Sequence, residues 1–183
     1  MARPTPKPLS PTEICRQRRI QVLTILGYVN LAAKVLTIVV AAWIIFTQVF
    51  LITQCSGMGM YPAIEDGDLI LAYRLHQKYE KGDVVAYTVD GATYLGRIVA
   101  KGTDVVFMDD SGTLQINGTN QGGEIMYPTY AKPGTEYPYR VRENELYLLG
   151  DYRTQCQDSR DFGSIPMDDI QGKVITIVRR RGV

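Results

Sequence analysis

Histidine is nearly absent from these 183 residues: one, His76, against three cysteines and a single tryptophan. His76 lies in a polar stretch with Arg74 and Lys78 and has no sequence reason to approach a cysteine. It therefore reads as a surface residue, and a thiol–imidazole pair is not expected. No cluster of metal-ligand residues stands out, so neither metal nor cofactor is expected. There is also little net charge, +1 overall, and no basic domain, so no nucleic-acid partner is expected. Repeats and low-complexity arrays are missing, and the length leaves no room for a second enzymatic domain beside a membrane segment and one compact unit.

The charge is unevenly placed. Residues 1–54 carry six Lys/Arg against one acid, and residues 55–183 carry fourteen against eighteen. The one long apolar run without charge is Val35 to Thr53, about the length that crosses a bilayer core as a helix. Arg3, Lys7, Arg16, Arg18, Arg19 and Lys34 precede it with only Glu13 opposing them, which favours a cytoplasmic amino terminus and an outward-facing carboxy-terminal part. The expected division is a cytoplasmic segment over 1–34, a transmembrane helix over 35–54 and an extracytoplasmic β domain over 55–183, placing the chain in the cell membrane as a single-pass protein. Ile20 to Ala33 either extends the helix or lies along the interface. Pro4, Pro6, Pro8 and Pro11 argue for an unstructured start. A cleaved leader is disfavoured because no small-x-small site follows Thr53, and Cys55 lacks the small preceding residue of a lipid-modified cysteine.

Beyond the membrane the pattern changes to short β runs punctuated by Gly and Asp: 66–75, 81–90, 92–101, 103–110, 113–118, 145–151 and 172–181. Such runs predict a mostly β, antiparallel domain. Residues 119–144, rich in Gly, Pro and Tyr, read as an irregular excursion. Asn117-Gly118 is a hairpin dipeptide, a safer reading than the glycosylation sequon it also spells. Arg179, Arg180 and Arg181 read as a solvated end. Cys55 and Cys156 share the outer side in this topology and are either a disulfide or two separate thiols.

Four blocks then agree in order and spacing with bacterial signal peptidase I of the Gram-positive type. They are Ser56-Gly57-Met58-Gly59-Met60-Tyr61-Pro62-Ala63, with Asp66-Gly67-Asp68 after it; Lys81-Gly82-Asp83-Val84-Val85; Tyr94-Leu95-Gly96-Arg97-Ile98-Val99; and Gly150-Asp151-Tyr152-Arg153 with Asp158-Ser159-Arg160. The resemblance runs from about residue 35 to about residue 178 and implies the signal-peptidase type of antiparallel β fold. Family members cut signal peptides from exported proteins with a serine nucleophile and a neutral lysine base, a pair that works because a dry site holds the amine uncharged.

Where that resemblance puts the serine, this chain has Gly59; where it puts the lysine, Gly96. Cys156 replaces the loop serine that positions the lysine. Sliding the alignment to Ser56 and Lys101 fails, because an odd shift along a strand turns a side chain to the opposite face. By resemblance, Ser56, Gly57, Met58, Met60, Pro62, Tyr94 and Leu95 floor a groove for extended peptides, and Met58 and Met60 are alternatively core or membrane-surface residues. Asp151, Arg153, Asp158, Ser159 and Arg160, joined by Arg97, read as a loop held by ion pairs and charge-assisted hydrogen bonds. Signal-peptidase-like proteins lacking the pair stand beside pilus genes of Gram-positive bacteria, and the chain is similar to them in these two positions. The expected function is that of a non-catalytic helper that binds exported proteins or pilins, with sortase machinery as a further partner. The alternative is an active peptidase with a non-standard mechanism.

Overall fold

The computed structural model describes residues 10–75, 78–121 and 127–179, in two compact units, 1–46 and 47–183. His76, Arg180 and Arg181 fall outside the described residues, as do Pro4, Pro6 and Pro8.

The first unit is the body of helix α1, Pro11–Val49. Its start is written in Ser10-Pro11-Thr12-Glu13. The Ser10 backbone N–H donates to Glu13 Oε2 at 2.9 Å and the Glu13 N–H donates to Ser10 Oγ at 3.4 Å, a reciprocal capping box. Pro11 takes the first helical position, where a missing N–H costs nothing, so it begins the helix and does not belong to an irregular tail. Ile20 to Ala33 is continuous helix. None of the helix's residues is buried, and it is long and apolar enough to cross a bilayer.

At its far end the helix stops short of the expected boundary. Val49 is its last residue, and Phe50–Gln54 forms strand β1. An apolar run alone does not distinguish helix from strand. Here five-residue pairing with β2 (Leu69–Tyr73) decides, Phe50 lying opposite Tyr73 and Gln54 opposite Leu69.

The second unit continues with β3 (Val84–Val89), β4 (Ala92–Lys101), β5 (Val105–Met108), β6 (Leu114–Ile116), β7 (Thr119–Asn120), β8 (Tyr139–Arg140), β9 (Glu145–Leu149), the single-turn helix α2 (Ser159–Phe162), β10 (Ile165–Pro166) and β11 (Ile170–Val178). Among the described residues these form an antiparallel seven-stranded sheet, ordered β1-β2-β11-β3-β4-β9-β10, and a smaller sheet ordered β7-β6-β5-β8. The mostly β antiparallel architecture is therefore as the turn-punctuated sequence implies. Two hairpins close on two-residue loops in which both residues have positive φ: Asp90-Gly91 between β3 and β4, and Asn117-Gly118 between β6 and β7. That is the turn whose twist matches paired strands. Residues 119–144, expected to be irregular, supply β7 and β8, two-residue strands too short for an alternation signal.

Three apolar clusters fill the unit. One surrounds Val99, Val106, Ile116 and Tyr147; a second surrounds Val85, Tyr87, Ile98 and Leu148; the third joins Cys55, Met60, Ile64 and Ile70 with Leu95 and Val174 at its border. Met60 is thus a core residue, which removes it from the expected groove floor, whereas Met58 is exposed.

Candidate functional site

The site is organised by the chain leaving β9. Gly150 follows its last residue, and the backbone turns through residues 151–158 before α2. Gly59 is fastened to this turn: its carbonyl accepts a hydrogen bond from the Tyr152 N–H at 3.0 Å. A Cβ placed on Gly150 would lie 2.5 Å from the Gly59 oxygen and 2.6 Å from Cys156 Sγ, so no side chain fits there. Gly96, opposite Val85 in the β3–β4 pair, meets the same stretch of chain: a Cβ there would stand 3.2 Å from Leu148 Cβ and 3.7 Å from the Leu149 carbonyl. Residues 148–150 therefore bring the two glycine positions into one neighbourhood.

The two positions differ in room. A Cβ on Gly59 would make an ordinary 3.4 Å contact with Cys156 Cβ, whereas on Gly96 it would press on Tyr87 Cε1 at 3.1 Å. The Tyr87 ring is fully buried and its hydroxyl has no partner among the described residues. Neither glycine's side chain offers a proton acceptor or a nucleophile, and the thiol of Cys156 stands beside Gly59. Burial, then the neighbouring Asp158 carboxylate, pushes that thiol up to about 12, so it stays protonated and inert at neutral pH. Cys55 and Cys156 are both free thiols, which resolves the disulfide alternative against a bridge.

Behind the turn lies a buried ion pair. Arg160 donates through Nε to Asp158 Oδ1 at 2.9 Å and through Nη2 to Oδ2 at 2.8 Å, a two-pronged contact with both side chains almost wholly buried. Asp158 also accepts from the Gly150 N–H and from Cys156 Sγ, and it caps α2 by accepting from the Arg160 N–H while Asp161 accepts from its own N–H. Burial alone would raise the Asp158 carboxyl, but the Arg160 hydrogen bonds and charge outweigh it and hold the carboxyl below its ordinary range. Ser159 Oγ accepts from the Leu148 N–H at 2.9 Å, tying α2 to β9. Arg153, equally buried, donates to the Gly150 carbonyl at 2.7 Å and to Thr129 Oγ1 at 2.6 Å. Arg97 bridges Asp151 at 2.6 and 2.8 Å and reaches the Gly82 carbonyl at 2.8 Å.

β4 carries the remaining feature. Its second half is sandwiched, with Arg97 opposite Leu149 on the β9 side, but among the described residues Ala92–Gly96 pairs with β3 alone, β9 having turned away at Gly150. An extended peptide entering that lane would find an unpaired strand edge, the requirement for recognition by strand addition. Tyr94 and Leu95 lie on this segment, half-buried, with Tyr94 packed between Tyr87 and Phe162 at ring separations of 5.8 and 5.2 Å.

Comparison with known proteins gives the family. The family model for signal peptidase, peptidase S26, matches residues 28–179. The chain belongs to that family. Signal peptidase IB of Staphylococcus aureus is 30% identical, covering 76% of this chain and 85% of that protein. Signal peptidase I of Bacillus licheniformis is 26% identical, the match covering 58% of this chain and 63% of that enzyme's length. A solved signal peptidase I from Enterococcus faecalis V583 matches with a TM-score of 0.41 at 24% identity, covering 55% of this chain and 98% of that one.

Within this S26 member, the structure brings Gly59, Gly96, Cys156 and the Asp158–Arg160 pair together. Ser56, Gly57 and Pro62 are exposed, and Gly57 donates its N–H to Asp66 Oδ1 at 2.7 Å. Lys101 is engaged by Glu80 at 3.3 Å and by the Tyr79 carbonyl. Two further residues of the site are Lys132, whose Nζ donates at 2.6 Å both to the Cys156 carbonyl and to Asp161 Oδ2, and Thr129 under Arg153. Both come from the segment expected to be irregular, where no motif marks them. The Gly59–Cys156 contact makes a prediction: a Gly59→Cys variant forms a disulfide with Cys156 when an oxidant activates the introduced thiol at alkaline pH, because the Cβ separation is close to that of natural bridges. Non-reducing peptide mapping checks it, and a Cys156 that remains alkylatable after denaturation would contradict the geometry.

Proposed function

We propose that this chain is a membrane-anchored signal peptidase homologue that binds extended segments of exported proteins or pilins without cutting them, and so assists pilin or surface-protein assembly beside the sortase machinery. The observation that carries the reading is the pair of glycines, Gly59 and Gly96, at the positions where the motif resemblance places nucleophile and base. The open edge at Ala92–Gly96 supports retained binding, since strand addition draws on backbone hydrogen bonds and not on the missing groups. Anchoring follows from α1, and the basic residues before and within its first turns favour an amino terminus on the cytoplasmic side.

Fluorescence anisotropy tests it, with the full chain in detergent micelles and labelled peptides spanning a signal-peptide cleavage region or a pilin segment. The expected result is saturable binding with the peptide recovered intact. Absence of binding to every peptide would remove the helper role, and recovery of cleaved peptide would transfer the reading to an active peptidase.

A further inference from the structure

Between Val22 and Val49, helix α1 gathers its amide and charged side chains on one face. Gly27, Asn30, Lys34, Thr37, Ala41 and Gln48 follow one another at steps of three or four residues, or their sum, and at about 100° per residue they fall within roughly 80° of arc. Between Val22 and Val49 every amide and charged side chain of the helix, Asn30, Lys34 and Gln48, lies on this face. Thr37 shares it but donates its hydroxyl to the Ala33 carbonyl at 2.9 Å, whereas Asn30, Lys34 and Gln48 are exposed.

Length decides where Lys34 sits. The stretch from Val22 to Val49 spans roughly 42 Å at 1.5 Å per residue, more than the roughly 30 Å of a hydrocarbon core. With Val49 at one edge, Lys34 lies roughly 22 Å from it, still about 8 Å inside the other edge; with Val22 at the opposite edge it lies roughly 18 Å deep. Both placements leave the Lys34 backbone inside the hydrocarbon span, with Asn30 one turn away on the same side. Ionisable groups at such depth pair with a partner.

We infer that this face docks a transmembrane helix of another protein that carries an Asp or Glu level with Lys34. Charge decides the occupant, because a parallel second copy would set Lys34 against Lys34. Gly27 and Ala41 allow close approach, and the seven-residue spacing suits a left-handed crossing. The inference rests on the membrane-anchored reading above.

The test uses the full chain labelled at exposed Cys15, the other two cysteines being buried, in phosphatidylcholine vesicles. Energy transfer is measured to acceptor-labelled polyleucine helices bearing Glu, Leu or Lys at their midpoint. The Glu helix is expected to half-saturate at roughly ten-fold lower density than the Leu helix, with the Lys helix weakest. Lys34→Leu abolishes the difference, and Lys34→Glu transfers the preference to the Lys helix. Equal binding of Glu and Leu helices, or an unchanged preference in Lys34→Leu, overturns the inference, as does self-association of the chain that Lys34→Leu removes. Vesicle flotation is scored first: a chain that does not float with lipid overturns the anchoring itself, while a floating chain without preference overturns only the docking face.

Discussion

Incubated with a fluorogenic signal-peptide substrate, the unaltered chain is expected to release no product above the protein-free blank. Removing a nucleophile or its base from a serine protease costs roughly 10⁶ in turnover, and what remains is roughly 10³–10⁴ over water, too little to detect on an amide bond. Two substitutes are available on paper. Ser56 is exposed beside Gly57, and Lys101 is engaged by Glu80, so Ser56→Ala should leave the blank-level signal unchanged. Cys156 is in place, but burial and the Asp158 carboxylate push its thiol up to about 12, which keeps it protonated at pH 7. Lys132 stands near it, its Nζ engaged by Asp161 and by the Cys156 carbonyl.

The geometry also orders the rebuilt variants. Gly59→Ser adds a side chain where an ordinary 3.4 Å contact is waiting, and without a base it should stay inactive. Gly96→Lys must displace Tyr87 and Leu148 by tenths of an ångström, so it should lower stability while the Gly59→Ser, Gly96→Lys pair alone shows turnover. Cleavage by the unaltered chain that Ser56→Ala abolishes would defeat the helper reading outright.

How much of this was visible in the residues depends on whether the signal was local. The hairpins at Asp90-Gly91 and Asn117-Gly118 are local turn chemistry, and the structure has both. The capping box at Ser10 and Glu13 is just as local, yet the prolines around it mask it by reading as an irregular tail. β1 was hidden for a different reason: Phe-Leu-Ile-Thr-Gln continues an apolar helix without a break, and only β2, fifteen residues later, makes it a strand. At the site, motif order located Gly59, Gly96 and the Asp158–Arg160 loop. The contacts that determine their chemistry are long-range: Tyr87 against Gly96, Lys132 on Cys156 and Thr129 under Arg153 join residues with no shared motif. Met60 shows the converse, since a motif position suggested a groove residue and packing with Ile64 and Ile70 made it core.

The Asp158–Arg160 pair should produce the largest stability loss. Asp158→Asn keeps the shape but leaves the Arg160 guanidinium buried without its charge partner, a change that costs about 3–5 kcal/mol. For a unit of this size that lowers the thermal midpoint by roughly 10–20 °C, followed by circular dichroism of the full chain in detergent. Lys132→Met, which breaks a partly exposed pair with Asp161, should cost about 1 kcal/mol or less. The pH dependence has a defined sign. The folded Asp158 carboxyl is held below its unfolded value, so its contribution is present above about pH 4 and is lost as pH falls through the folded value. Asp158→Asn should therefore narrow the gap to the unaltered chain as the solution is acidified below pH 4. A gap that stayed constant from pH 7 to pH 2.5 would mean that the carboxylate charge is not what holds the turn behind Gly59.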